Sequence, residues 1–398
     1  MAGATALINK DTLASICTRI GVTPAYLAQR TGVTEDKISL WLSPSSQELP
    51  TIIQAKKLAK ILHIPFAGLY MNAEQIDFGR LPTLRNLRTL PDAGSVDDSV
   101  LNIAVVDLIR ARDFWKAVSL DLSIDRVTLS LPDIANDATP AVYAECIRRF
   151  FELDLNAQYK CASPRQFYLF VRRQIEAKGL FLHCFSDVPV ETARGIAIYD
   201  EDTPIIGVNE KDRPPAKTFT IIHELVHILK RQSAMCNDMT AFSAQQEEVF
   251  CNAVAGEVLV PAAALKAYFQ AHNLTDISLD SIKTIADKFS ISREVIVRRL
   301  FDTARFSKDE YDTFANELQA SFEAEREASK IAQAEGREDP YKRNMTREAI
   351  DKTSSSMCKI LLLGFGEGYF TKQDVSGLLG IKEKHIPKFV TEVSKWIR

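Results

Sequence analysis

The sequence predicts an α+β protein that is mostly helical and contains one small β-sheet. Three observations lead to this class. Residues 12–70 and the region beyond Pro261 have the periodicity of short helices separated by tight breaks. Between these regions the chain carries three runs with the length and composition of β-strands: GLFLHCF at 179–185, GIAIY at 195–199 and PIIGV at 204–208. Pro214 and Pro215 then fit the first turn of another helix, where a missing N–H costs little.

Length and composition limit the kinds of protein that this chain can form. Its 398 residues predict two or three domains. The hydrophobic content of 46% and charged content of 25% are ordinary for a globular protein and exclude global disorder. The net charge of -3 gives no chain-wide attraction to nucleic acid, so DNA binding would require a local patch. The seven cysteines form no CxxC pair, and no window has the roughly 18 apolar residues of a membrane span, so we expect a cytoplasmic protein without a membrane partner.

The segment PAYLAQRTGVTEDKISLWL, residues 24–42, has the spacing of a helix-turn-helix unit. Gly32 falls in the turn, and Leu27, Ile38 and Trp41 are apolar anchors on the two helices. With its continuation to residue 70, the segment resembles the Xre/Cro-type repressor fold. This resemblance implies a small all-helical domain.

The second helix of this unit carries the candidate residues for contact with DNA or a partner: Thr34, Lys37 and Ser39. Glu35 and Asp36 lie among them, and carboxylates there would face phosphates and base edges unfavourably. DNA binding and a protein-interaction or dimerisation role are therefore left as equal alternatives, and a homodimer is one expected assembly.

The stretch IIHELVHILK, residues 221–230, places two histidines four residues apart. On a helix they lie on one face, so His223 and His227 can bind one metal ion. Glu224 lies beside them and can take a proton from a water molecule that the metal has activated. The alternative is an ordinary helix with two incidental histidines. The apolar surroundings favour the metal site, because buried imidazoles need partners, and two of only six histidines coincide here.

A catalytic zinc site usually has three protein ligands. The run QQEEVFCNAVAGEVLVP, residues 245–261, predicts a second helix that offers the third. Glu248 and Asn252 lie four residues apart on one face, so Glu248 is the expected ligand and Asn252 can orient His223. Glu247 points about 100° away and is the less favoured alternative.

The motifs TFTIIHELVHIL and EEVFCNAVAGEVLVP together resemble the ImmA/IrrE family of zinc metallopeptidases, and PIIGVN fits the strand before the family's motif helix. The resemblance implies a zincin-like domain with Zn2+ bound by His223, His227 and Glu248, and Glu224 as the catalytic base. Three residues depart from the family pattern without removing a ligand, replacing a glycine, an alanine and a phenylalanine: Val226, Cys251 and Val254. We interpret the cysteine as a small buried residue.

The same resemblance implies a regulatory zinc endopeptidase that cleaves few partners, typically helix-turn-helix repressors, in stress responses or in phage and mobile-element control. One alternative is a transcriptional regulator or antitoxin-like binding protein with an idle peptidase fold. The complete set of three ligands and a base favours the enzyme, because a decayed site would be expected to lose one of them. A third hypothesis makes the N-terminal domain the peptidase's own substrate, with cleavage between residues 70 and 100.

These features predict four parts of the chain: a helix-turn-helix domain at 1–75, a linker and connecting helix at 76–125, a metallopeptidase domain at 126–305 and a C-terminal helical domain at 306–398. The linker itself is placed at 80–99, where prolines and a Ser/Asp cluster occur. The segment 321–343 is dense in both charge signs and predicts an exposed helix that ends in a loop around Gly336 and Pro340. His385 is interpreted as structural or exposed.

Two further features have alternative interpretations. The strand PIIGVN could pair with an extended substrate. The segment 285–311 also has a helix-turn-helix pattern, and support of the peptidase core or a substrate groove is favoured over DNA contact for its arginines: Arg293, Arg298 and Arg299. Tyr199 and Tyr268 are unranked candidates, on residue type alone, for stabilising the oxyanion.

Overall fold

The computed structural model of the protein describes residues 3–75, 85–86, 98–127, 129–135, 137–236, 246–274, 277–334 and 344–396. Most of these residues are helical and a small mixed sheet is present, which confirms the mostly helical α+β class. Most of the linker predicted at 80–99 lies outside the described residues, as does the loop predicted around Gly336 and Pro340. The four domain boundaries stay predictions.

The N-terminal region is built from four α-helices and two short 3₁₀ helices. They are α1 Lys10–Ile20, α2 Pro24–Thr31, α3 Glu35–Leu42, α4 Ile52–Ile61, and 3₁₀ turns at Phe66–Tyr70 and Ala73–Gln75. The Thr23 side chain caps the start of α2, and Gly32 ends it in the left-handed conformation at φ 73°. Leu27, Ile38 and Trp41 are buried, as their spacing predicted.

A long helix, α5 Ser99–Asp121, follows and lies within residues 76–125, where the sequence predicts a linker and a connecting helix. Ile103 and Val106 belong to the apolar core of the N-terminal helices. Leu101 and Leu108 belong to a second core, formed with the sheet and the C-terminal helices. This helix is therefore buried on two sides by different parts of the chain.

The central region contains nine helices among its described residues and supplies four strands to the sheet. The helices are α6 Pro140–Phe150, α7 Leu155–Tyr159, α8 Pro164–Glu176, α9 Pro214–Leu229, α10 Gln246–Leu259, α11 Ala262–Ala271, α12 Leu279–Phe289, α13 Arg293–Asp302 and α14 Lys308–Ala334. The strands of the whole sheet are β1 Arg85–Asn86, β2 Phe181–Phe185, β3 Gly195–Ile198, β4 Ile205–Asn209 and β5 Ala234–Cys236.

The strand order in the sheet is β1-β5-β3-β4-β2. The second and third predicted strands, β3 and β4, pair antiparallel and form a hairpin, while β2 runs parallel to β4. The proposal that PIIGVN pairs with a substrate is wrong, because β4 already has a strand on each side and its backbone hydrogen bonds are used within the sheet. Among the described strands, the edges belong to β1 and β2.

The sheet separates two apolar cores, and successive residues of a strand face opposite sides. Ala197 and Ile206 face the core that contains α9 and α10. Ile196 and Ile205 face the core that contains α5 and the C-terminal helices. Those helices are α15 Met345–Lys352, α16 Ser355–Gly366, α17 Lys372–Leu379, a 3₁₀ turn at Glu383–His385, and α18 Ile386–Ser394.

Among the described residues, no single helix has both the length and the apolar composition of a membrane span. Only α10 and α11 taken together meet that measure, and a bend of 47° separates them.

Candidate metal centre

The helix α9 presents its two histidines and the intervening glutamate inside the protein. It starts with Pro214 at its first turn and packs against α8, α10 and strands β3 and β4. His223 is 3% exposed, and Glu224 and His227 have no exposed area. Because the neighbouring helix and strands cover α9 on several sides, all three side chains are withdrawn from water.

The helix α10 supplies the carboxylate that faces this pair. The Glu248 oxygens lie 3.3 Å from Nε2 of His223 and 3.3 Å from Nε2 of His227, one oxygen to each ring. The two Nε2 atoms are also 3.3 Å apart. Glu247, the alternative considered from the sequence, pairs instead with Lys230 at 3.9 Å.

These three distances fit a zinc ion. Ligands about 2.0–2.1 Å from a tetrahedral centre stand about 3.3–3.4 Å from one another, and two histidines with one glutamate are an established zinc donor set. The donor–acceptor distance of a direct hydrogen bond between uncharged partners would be shorter, at about 2.9 Å. The spacing and the chemistry of the donors therefore both suit a metal held between α9 and α10.

The outer nitrogen of each imidazole has a neighbour on α10 that turns Nε2 inward. Asn252 Oδ1 lies 2.7 Å from Nδ1 of His223 and can accept a hydrogen bond from the ring N–H. Cys251 Sγ lies 3.9 Å from Nδ1 of His227. The Asn252 contact places this amide where the sequence argument expected it, while the approach of the cysteine to His227 was not predicted.

The electrostatics of the cluster keep the carboxylate ionised. Burial raises the pKa of Glu248, but its close contacts with His223 and His227 outweigh this and lower it to about 2. Burial lowers the pKa of His223, yet the contact with Glu248 and the charge of Glu224 leave a net upward shift. For His227, burial prevails and the pKa is lowered.

Cys251 is an alternative to Glu248 as the third ligand. Its sulfur and one ring nitrogen of each histidine, His223 and His227, lie within 4.8 Å of one another. Two facts favour Glu248. The cysteine approaches Nδ1 of His227, the ring nitrogen opposite the one that faces Glu248. Burial, followed by the charge of Glu248, also raises the pKa of the Cys251 thiol well above its usual value, which disfavours the thiolate that binds metals.

Strand β3 forms the surface against which Glu224 lies. A Cβ atom added to Gly195 would stand 2.0 Å from Oε1 of Glu224 and 2.6 Å from its Cδ. No side chain fits that space, so glycine at this position allows the carboxylate to lie on the strand backbone. No pattern in the sequence predicts this contact, because Gly195 and Glu224 are brought together only by the packing of α9 on the sheet.

The remaining candidate residues lie elsewhere. Thr34, Lys37 and Ser39 are exposed on and beside α3, together with the adjacent acidic pair Glu35 and Asp36.

The arginines of α13 support the core. Arg298 and Arg299 are each 3% exposed, and both pair with Asp302. Arg299 also pairs with Glu257 and donates to the carbonyl of Val260 at 3.0 Å. Because these two side chains are buried, the interpretation as core support is favoured and DNA contact by them is excluded.

The region has a metallopeptidase-like fold. It places two buried histidines and a glutamate on adjacent helices, with a second glutamate beside the first histidine and a mixed sheet packed against it. Residues 183–301 match the family of M78 peptidases through its model for the IrrE N-terminal-like domain. The match runs from within β2 almost to the end of α13, so it includes both helices of the candidate centre and supports a relationship to ImmA/IrrE for this region. No curated protein matches the chain.

Proposed function

We propose that the protein is a regulatory zinc-dependent endopeptidase, with His223, His227 and Glu248 as ligands and Glu224 as catalytic base. One observation carries the proposal: the Nε2 atoms of the two histidines on α9 are 3.3 Å apart, each is 3.3 Å from one carboxylate oxygen of Glu248 on α10, and the base lies on the same helix turn as His223. A bound zinc ion would supply Lewis acidity towards a peptide carbonyl and lower the pKa of water.

The residues of the chain have separate tasks in this reaction. Glu224 Oε1 and Oε2 accept a proton from the attacking water and return it to the leaving amine. Gly195 leaves room for the base, and Asn252 holds the His223 ring so that Nε2 points to the centre. The near-complete burial of the site strengthens each of these electrostatic contacts.

The expected substrate is a specific protein partner such as a helix-turn-helix repressor. The exposed face of α3, where Glu35 and Asp36 stand beside Thr34, Lys37 and Ser39, suits recognition of a protein better than recognition of DNA. The N-terminal region then serves to select the partner or to join two copies of the chain.

The test compares wild-type protein with Glu224→Gln, because this change removes the base and keeps all three ligands. Both proteins should bind about one zinc per chain. After zinc loading, each is incubated with extract of the host cell, and new protein N-termini are identified by mass spectrometry. Wild-type protein should generate a small set of new termini that are absent with the variant.

Two results would contradict the proposal. If wild-type protein binds no zinc even after zinc is added, the ligand assignment is wrong. If it binds zinc and yet yields the same termini as Glu224→Gln, the peptidase fold is idle and the binding-protein hypothesis gains support. New termini within residues 70–100 of the chain itself would instead indicate self-cleavage.

A further inference from the structure

The last two helices of the chain are joined in the manner of a helix-turn-helix unit. The Thr371 side chain caps α17, and Gly380 ends this helix in the left-handed conformation at φ 64°. Ile381 and Lys382 complete a short turn, and the 3₁₀ turn Glu383–His385 leads directly into α18. Two helices joined by a short turn that contains glycine are typical of this motif.

The apolar residues of this segment hold the two helices in a fixed arrangement. Six side chains are buried at no more than 6% exposure: Val375, Leu379, Ile381, Ile386, Phe389 and Val393. They belong to the core shared with α5 and the sheet, and α16, α17 and α18 all contact one another. The two helices of the unit are therefore packed on α16 and into this core.

The exposed face formed by α18, the 3₁₀ turn before it and the residue after it is basic. Lys384, Lys388, Thr391 and Lys395 recur at helical spacing and are all exposed. Lys372, at the start of α17, and Lys382, in the turn, are exposed as well.

The carboxylates in this segment are fewer than its lysines. Between residues 372 and 396 there are five lysines and three carboxylates, so the segment has a net charge of +2 in a chain of net charge -3. Asp374 accepts hydrogen bonds from Thr371, and Glu392 lies 3.2 Å from Lys395. Glu383 is exposed in the 3₁₀ turn between Lys382 and Lys384, so the start of the second helix has one carboxylate and three exposed lysines: Lys382, Lys384 and Lys388.

The N-terminal unit differs in charge at the equivalent place. Its second helix begins with the exposed pair Glu35 and Asp36. Lys37 is exposed on the same helix, but two other nearby cations are engaged by the backbone: Lys57 donates to the carbonyl of Thr31 at 2.7 Å and Lys10 to that of Ser46 at 2.7 Å. Of the two units, the C-terminal one offers the better match to a polyanion.

We propose that α17 and α18 bind duplex DNA, with the start of α18 in the major groove and Lys384 and Lys388 on phosphates. In helix-turn-helix complexes the N-terminal end of the second helix enters the major groove, while the first helix crosses the DNA backbone. Lys372 lies at the start of the first helix here, and Lys382 and Lys384 lie directly before the second. Binding of an acidic protein would require the exposed lysines but would not require two helices arranged as a helix-turn-helix unit. Binding of DNA uses both features, so DNA is the favoured partner. The proposal does not depend on the metal centre.

The experiment measures binding of the full chain to a fluorescently labelled mixed-sequence duplex of about 30 base pairs over a range of salt concentrations. Wild-type protein should bind at low salt, with an affinity that falls steeply as salt rises. In Lys384→Glu/Lys388→Glu the affinity at low salt should fall at least about tenfold, and the slope of log affinity against log salt should decrease by about 2, since each lysine neutralises one phosphate.

The charge-matched control is Lys266→Glu/Lys283→Glu, on exposed positions of α11 and α12, which should bind DNA as wild type does. Lys37→Glu tests the N-terminal unit in the same way. Thermal unfolding of each variant verifies that it is folded. The proposal is overturned if wild-type protein fails to bind the duplex at low salt, if the control pair weakens binding equally, or if only Lys37→Glu does. Tighter, Lys384-dependent binding to polyglutamate than to the duplex would assign the face to an acidic protein.

Discussion

At the scale of single residues, Glu247 and Glu248 are a natural comparison because they are adjacent in one helix and differ in what they face. Glu248 has no exposed area and contacts both imidazoles, whereas Glu247 pairs with Lys230. We expect Glu248→Gln to lower the zinc content well below one per chain, because the amide is a weaker ligand than the carboxylate. Glu247→Gln should leave zinc binding unchanged. Metal analysis after dialysis distinguishes them, and equal zinc in both variants would remove Glu248 from the ligand set.

Gly195 gives a second prediction at this scale. In Gly195→Ala the new methyl group meets the Glu224 carboxylate, so either the strand or the base must move. We expect a loss of about 1–3 kcal/mol in the free energy of unfolding, as for other overpacked sites, and zinc binding should persist because no ligand is touched. Gly377→Ala is the control, since nothing lies within 4 Å of its added atom. Denaturant unfolding and metal analysis test this, and unchanged stability of Gly195→Ala would show that the space is not restrictive.

What the sequence could predict at this scale follows from helix geometry. The relation of His223 to His227, and of Glu248 to Asn252, depends only on spacing within one helix. The contact between Gly195 and Glu224 depends on how a strand and a helix pack, and the Cys251 contact with His227 depends on the rotation of α10 against α9. Neither of these relations has a periodic signature in the chain.

At the scale of elements, the junction between α15 and α16 is held by two charged residues of α8. Arg172 donates to the carbonyls of Ile350 and Asp351, at 3.0 and 2.8 Å, in the last turn of α15. Glu176 accepts from the Ser355 N–H at 3.0 Å and from the Ser354 hydroxyl, at the start of α16. The Arg172 cation thus faces the C-terminus of α15 and the Glu176 anion faces the N-terminus of α16. Each charge interacts favourably with the helix dipole at that end.

Removing the anion should be costly because its partner stays buried. We expect Glu176→Gln to lower the free energy of unfolding by about 3–5 kcal/mol, since Arg172 would lose its counter-charge in a site that is 2–3% exposed. Glu152→Gln, at an exposed pair with Lys178, should change it by less than about 1 kcal/mol. Denaturant melts compare the two, and equal effects would show that the buried pair is dispensable.

From the environment of His183, which lies next to this junction, we predict that the free energy of unfolding depends on pH. Burial, followed by the charges of Arg172 and Lys352, lowers the pKa of His183 to about 4, and its Nδ1 accepts from the Ser354 N–H at 3.3 Å. Because the unfolded chain binds this proton near pH 6.5 and the folded chain does not, stability falls as pH is lowered from about 6.5 towards 4. The melting temperature of wild type should therefore fall more steeply over this window than that of His183→Gln. Parallel curves would contradict the assignment.

The elements that could be predicted are those with enough length to show a period. The hairpin of β3 and β4 and the helices α5, α6, α9 and α10 all have such patterns. The strands β5 and β1 have three and two residues, and they are strands only because a neighbour pairs with them. The interior position of β4 followed from that pairing order, which the local sequence does not encode.

At the scale of the whole molecule, α5 joins the N-terminal core to the core beneath the sheet. We expect Ile103→Ala to lower the free energy of unfolding by about 2–5 kcal/mol and to shift one common transition, because the helix is shared by both cores. Leu120→Ala, on the same helix but 79% exposed, should stay within about 0.5 kcal/mol of wild type. Calorimetry tests this, and a separate low-temperature transition confined to the N-terminal helices would show that the two cores unfold independently.

The alternation of side chains along β3 has a consequence for how distant parts of the chain can influence the candidate metal centre. Ile196 points into the core that contains α5, and its neighbour Gly195 lies against Glu224 on the other side. A displacement of α5 large enough to move Ile196 therefore also moves the backbone under the base. Gly195 and Ile196 are adjacent in the chain, so a single peptide unit connects the side of the sheet that faces α5 with the side that faces the candidate metal centre.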